Sequence, residues 1–145
     1  MSNIETVKRF AGLAETKDLN GLQEILADDF SAKGTTMELN RQQIVGYLKI
    51  LFTAFPDHSF GLTDFEEKGD LVYCAIHERG THNGVLDLSS FGMPVSLPPT
   101  GKALTLPVGR FTFRVANNKI TYLSEEAAEG GGLAGILAQL GVKLA

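Results

Sequence analysis

The residues from Ile120 to Glu126 alternate, so that Ile120, Tyr122, Ser124 and Glu126 fall on one face of an extended run. Glu126 is either a hydrated strand terminus or a carboxylate turned into an apolar cavity, where desolvation disfavours its charged form. In the second case its pKa rises, and it becomes a useful acid or base near neutrality. Glu129, beside Gly130-Gly131-Gly132, is a second carboxylate near the same strand end. His82 lies between Gly80 and Gly84, where an imidazole can exchange a proton or orient a carbonyl, or join Thr81 in anchoring a turn. Asp57 follows Pro56 and is either a further pocket carboxylate or an acceptor of backbone N–H groups where a helix turns into a strand. Arg110, in phase with Leu106, Val108 and Thr112, either enters a cavity and steadies a developing enolate or runs out to the rim.

Tyr47, Phe52, Phe55, Tyr73 and Phe111 supply aromatic surface on which a substrate could be held, the same surface a core requires. His77 shares a face with Tyr73, Ala75 and Arg79 and is a further pocket candidate. His58, His77 and His82 lack the compact spacing of a zinc site, so no metal is expected. The triple glycine is not followed by Lys-Ser or Lys-Thr, and a nucleotide loop is not expected either. Cys74 alternates with Val72 and Ile76 as a small buried hydrophobe.

The elements that must position these groups follow from hydrophobic spacing. Ile4, Val7, Ala11 and Ala14 predict one helix, and Leu19, Leu22, Ile25 and Leu26 a second, capped by Asp18. Residues 28–37 read as a short turn or edge strand. Asn40 with Gln43 forms a capping-box pattern and opens a third helix that carries Ile44 to Phe55 and is stopped by Pro56. Residues 58–67 and 71–79 predict a hairpin across Lys68-Gly69-Asp70, and residues 80–102 a long connection. Leu104 to Val115 reads as one long strand with Pro107 at an edge or bulge; it returns through Asn117-Asn118 along Lys119 to Glu126. Leu133 to Leu140 predicts a terminal helix. The sum is an α+β domain over residues 1–145, three N-terminal helices packed on a strongly curved antiparallel sheet with a pocket between them.

The chain has 145 residues, 43% hydrophobic, with 13 basic and 17 acidic side chains and a formal charge of −4. That suits a single folded domain and disfavours a nucleic-acid surface, which needs a concentrated positive field. No stretch approaches the roughly 18 apolar residues of a membrane span. The lone cysteine forms no internal disulfide, and a reducing cytoplasm is expected.

Five short segments carry a family resemblance: Phe55-Pro56-Asp57, Gly80-Thr81-His82-Asn83-Gly84, Pro98-Pro99-Thr100-Gly101-Lys102, Asn118-Lys119-Ile120 and Gln139-Leu140-Gly141. In their order and spacing the chain resembles the SnoaL-like polyketide cyclases of the nuclear-transport-factor-2-like superfamily. The resemblance implies a cone-shaped domain around a mostly apolar cavity, assembly into homodimers or higher oligomers, and ring closure by an intramolecular aldol step. An Asp would act as acid and base, with no metal or organic cofactor. That Asp is expected at or just after the end of the last strand, where residues 124–132 contain none; either Glu126 or Glu129 replaces it or the reaction is lost in this chain. The expected function is a cofactor-independent, cyclase-like enzyme acting on a small or medium apolar carbonyl compound, without nucleic acid or membrane. The alternatives are a non-catalytic carrier or sensor, an epoxide hydrolase, or an assembly module.

Overall fold

The computed structural model describes residues 2–34 and 37–142. Helix α1 (Asn3–Glu15) begins with a capping box in which the Ser2 hydroxyl accepts from the Glu5 N–H at 3.1 Å, and it buries Val7, Phe10 and Ala14. Helix α2 (Leu19–Ile25) is capped by Asp18, whose carboxylate accepts from the Gly21 N–H at 2.9 Å. Helix α3 (Arg41–Ala54) starts from the reciprocal Asn40–Gln43 box and ends where Pro56 forces Phe55 out of helical geometry. After the last strand comes α4 (Gly132–Gln139), which buries Leu133, Ile136 and Leu137.

Among the described residues, six of ten strands form the main sheet: β1 (Leu26–Lys33), β2 (Glu38–Asn40), β3 (Thr63–Lys68), β4 (Leu71–Ile76), β9 (Gly109–Ala116) and β10 (Lys119–Glu126), in the order β2-β1-β10-β9-β4-β3. Two small ladders pair β5 (Arg79–Thr81) with β8 (Ala103–Thr105), and β6 (Leu86–Asp87) with β7 (Ser96–Leu97). Asn117 and Asn118 turn β9 into β10 with φ of 52° and 61°, the left-handed conformations a tight hairpin requires.

This architecture corrects the expected cone of three N-terminal helices on a strongly curved antiparallel sheet. There are four helices among the described residues, one of them C-terminal, and the sheet is mixed and open, because β1 runs parallel to β10 and the order ends on β2 and β3. Local patterning reads hairpins between sequence neighbours, whereas a parallel pair joins strands far apart in the chain and leaves no turn signal. The same contact makes β1 an interior strand instead of an edge. Its register shifts between Leu26 and Ser31, which lets Asp28 and Asp29 stay exposed and hides the alternation. The expected long strand after Leu104 is two strands, broken around Pro107.

The core between helices and sheet contains a chain of edge-to-face rings. Phe10 meets Phe113 at 5.4 Å, Phe113 meets Phe111 at 5.7 Å, Phe111 meets Phe60 at 5.5 Å, and Phe60 meets the His58 ring at 4.5 Å. No helix among the described residues is long and apolar enough to cross a membrane.

The end of α3 is fastened to the segment after β5 by the Asn83 and Gly84 N–H groups, both donating to the Ala54 carbonyl. A Cβ at Gly84 would lie 1.9 Å from the Thr53 carbonyl oxygen, a backbone atom at the end of α3 that cannot swing aside as a side chain would. Gly84→Ala should therefore cost about 1–3 kcal/mol, read as a lower urea midpoint. An unchanged midpoint would mean that this junction has slack.

Candidate active site

A cavity of about 80 Å³ lies between α1, α3 and the sheet, with Leu133 of α4 at one end. Its wall is largely apolar, from Phe10, Leu48, Phe60, Phe111 and Leu123 among others. The polar groups in that wall are Lys33, Tyr47, Glu78 and Glu125.

Glu125 is placed there by an irregularity in β10. The β9–β10 register slips between Ile120 and Tyr122, after which Leu123 stands opposite Phe113 and Glu125 opposite Phe111. A one-residue slip exchanges the two faces of a strand, so the inward carboxylate is Glu125 and not Glu126. Glu78 arrives by unbroken alternation: Val72, Cys74, Ile76, Glu78, Gly80 and His82 are all buried. Its backbone is held by the Leu106 N–H, which donates to the Glu78 carbonyl at 3.0 Å. Its carboxylate meets His58, with Nε2 2.7 Å from Oε2 and both side chains almost wholly buried. Nδ1 of the same ring is buried and has no hydrogen-bond partner among the described residues. The imidazole is packed by Phe60 and by Phe52, whose ring centroid is 5.6 Å away.

Burial, and secondarily the charge of Glu78, push the Glu125 carboxyl from 4.5 up to about 7. The Tyr47 phenol is driven far above its ordinary range by burial first, then by the charges of Glu78 and Glu125, and so stays protonated as an O–H donor. The cavity wall thus carries a carboxyl poised between acid and base near neutrality, a phenol that stays protonated, and Glu78, which is bonded to His58 behind the wall. Among the described residues no group of three or more His, Cys, Asp or Glu is arranged to hold a metal ion.

The structure brings two of the sequence candidates to this cavity, Tyr47 and Phe111. Glu126 is exposed at the end of β10 opposite Arg110, and Glu129 is exposed before α4. Arg110 lies on the opposite sheet face, its guanidinium 4.5 Å from the Tyr73 ring. His77 is exposed and bonded to the Thr63 hydroxyl at 3.0 Å. Phe52 and Phe55 are core residues outside the cavity wall. Asp57 accepts from the Thr81 N–H at 2.6 Å and the Thr81 hydroxyl at 2.8 Å, which hold its carboxyl below the usual range. His82 is fully buried outside the cavity wall, bonded through Nδ1 to the Thr100 hydroxyl at 2.9 Å, and burial lowers its pKa. Sequence reasoning passed over Glu78, Glu125 and His58. Glu78 was detectable, being in phase with Val72, Cys74 and Ile76; Glu125 was concealed by the bulge.

Several solved structures share this fold. IdmH, a candidate polyketide cyclase from Streptomyces antibioticus, superposes with a TM-score of 0.74 at 22% identity, covering 98% of this chain and 100% of that one. AclR, a candidate hydroxylase from Streptomyces galilaeus, gives 0.75 at 17% identity, covering 96% and 95%. A Catenulispora acidiphila protein with a ketosteroid isomerase-like fold, solved in complex with trimethylamine, gives 0.70 at 18% identity, covering 96% and 94%. No curated protein matches the sequence. The model of the SnoaL-like polyketide cyclase family matches residues 4–125, which takes in the whole cavity wall except Leu133, and the chain belongs to that family.

Proposed function

We propose that this protein is an enzyme that moves a proton next to the carbonyl group of a small, mostly apolar organic molecule, with Glu125 as the proton carrier and no cofactor. The observation that carries the reading is a carboxyl tuned to about 7 in the wall of an apolar cavity. Deprotonated Glu125 takes a hydrogen from the carbon beside the carbonyl, and the resulting enolate oxygen accepts a hydrogen bond from the Tyr47 phenol. In the cyclase version the enolate carbon attacks a second carbonyl of the same molecule. A C–C bond forms, and the new alkoxide takes the proton back from Glu125. Glu78, held by His58, keeps a negative charge near Glu125 and so tunes it; it is a positioning residue in this scheme. Family membership supports the reaction class.

The test is deuterium exchange at the α-carbons of 2-butanone in D2O, followed by NMR, because background exchange of a simple ketone is slow. The rate should rise with pH through about 7, as Glu125 ionises, and then level. In Glu78→Gln the rise should move to lower pH, because one of the two causes of the elevated Glu125 pKa is gone while burial remains. A profile unmoved by that change would remove Glu78 from the scheme.

A homodimer or higher assembly and a cytoplasmic setting belong to the same reading. The sheet face opposite the cavity carries half-buried Tyr73, Thr112 and Tyr122, and the one cysteine is a buried thiol that desolvation pushes up to about 12. Sedimentation of the purified protein reads the assembly directly.

A further inference from the structure

A second recess, of about 550 Å³ and open to solvent, lies on the outer side of the cavity wall between the first half of α3 and a 3-10 turn at Ser89–Phe91. Met37 and Leu39 belong to both linings. The partition continues through the edge-to-face pair of Tyr47 and Phe91, with centroids 6.1 Å apart; Tyr47 faces the cavity and Phe91 the recess. Leu39 is buried, whereas Met37 is half-buried and unbranched, the adaptable part of the wall. Gly46 lines the recess from the middle of α3, where a glycine weakens the helix. A Cβ there would meet nothing within 4 Å, so packing does not demand glycine, and its missing side chain leaves the recess open.

We propose that the cavity and the recess are two ends of one substrate site joined past Met37, and that the substrate is an elongated, uncharged molecule with its carbonyl end beside Glu125 and its tail in the recess. This rests on reading the cavity as a carbonyl site. A volume of about 80 Å³ takes the reacting end of a molecule and leaves a longer chain to go elsewhere. Met37, Leu39 and Phe91 offer the tail apolar surface, and Gln42 and Ser90 offer neutral hydrogen bonds. The one charged side chain lining the recess among the described residues is Glu38, which repels an anionic tail.

The experiment measures dissociation constants of 2-butanone, 2-heptanone, 2-undecanone and 10-oxoundecanoate by ligand-observed NMR, beside the α-exchange rate of 2-butanone. The dissociation constant should fall by about twofold or more for each methylene that enters the recess, partial burial giving less than a full transfer gain. The anionic 10-oxoundecanoate should bind more weakly than 2-undecanone. Gly46→Trp, and independently Ser90→Trp from the opposite wall, should return 2-undecanone to the level of 2-butanone. Equal affinity along the neutral series, or a length gain that survives both tryptophans, overturns the proposal. If 2-butanone exchanges while length adds nothing, the joined site is wrong and the cavity reading stands. If affinity grows with length in a protein that exchanges nothing, the proton-transfer reading fails and the joined site stands.

Discussion

Glu125→Gln should fold and lose α-exchange of 2-butanone by about a hundredfold or more, the usual share of a general base. The substitution keeps the shape and hydrogen-bonding capacity of the side chain and removes its ability to ionise. The other carboxylate in the wall, Glu78, is engaged by His58 at 2.7 Å and is not free to substitute. Glu126→Gln and Glu129→Gln are the natural controls, since both side chains are exposed and neither lines the cavity. Their rates should stay close to that of the parent protein. If Glu126→Gln or Glu129→Gln lost the activity while Glu125→Gln kept it, the inward-facing carboxylate would be a bystander, and a carrier reading of the cavity would gain ground if none of the three mattered.

The same residue should make stability fall with rising pH. Its carboxyl titrates at about 7 in the folded chain against 4.5 when unperturbed, so between those values the native state holds a proton that the unfolded state has released. Stability therefore drops as pH climbs through that window, is unaffected by this group below 4.5, and carries the full penalty above about 7. The shift corresponds to roughly 3 kcal/mol at 1.36 kcal/mol per pKa unit. Urea unfolding at pH 5 and pH 8 should show the parent protein losing a large part of that amount, and Glu125→Gln losing much less. The variant should be the more stable protein at pH 8 while being the poorer catalyst, a trade that a functional carboxylate in an oily wall implies. Equal pH dependence in the two proteins would mean that Glu125 titrates like a solvated side chain.

Much of the local structure was legible because its causes are local. Asp18, Asn40 with Gln43, and Pro56 fix helix ends through contacts with neighbours a few residues away, and the Asn117-Asn118 turn needs only left-handed backbone at two positions. Long-range pairing was not legible. Nothing near Leu26–Lys33 announces a parallel partner in β10, and that contact is what makes the sheet mixed. The site divides along the same line. Of the five aromatics that composition singles out, Tyr47 and Phe111 line the cavity while Phe52, Phe55 and Tyr73 do not, and Glu78 was in plain phase with Val72, Cys74 and Ile76. Between Glu125 and Glu126 strict alternation chose the outer residue, because the slip at Ile120–Tyr122 is a property of two strands together and not of either alone. Asp57 and His82 sit in motifs that look chemical, yet their hydrogen bonds to Thr81 and Thr100 tie loops together.

The most direct measurement is a titration of the Glu125 side-chain carboxyl carbon by NMR in the intact protein, assigned by its disappearance in Glu125→Gln. A midpoint near 7 is the predicted result. A midpoint at the ordinary 4.5 would contradict the account, since a carboxylate fully ionised at neutral pH would have neither the desolvated setting nor the shared charge on which the proposed proton transfer depends.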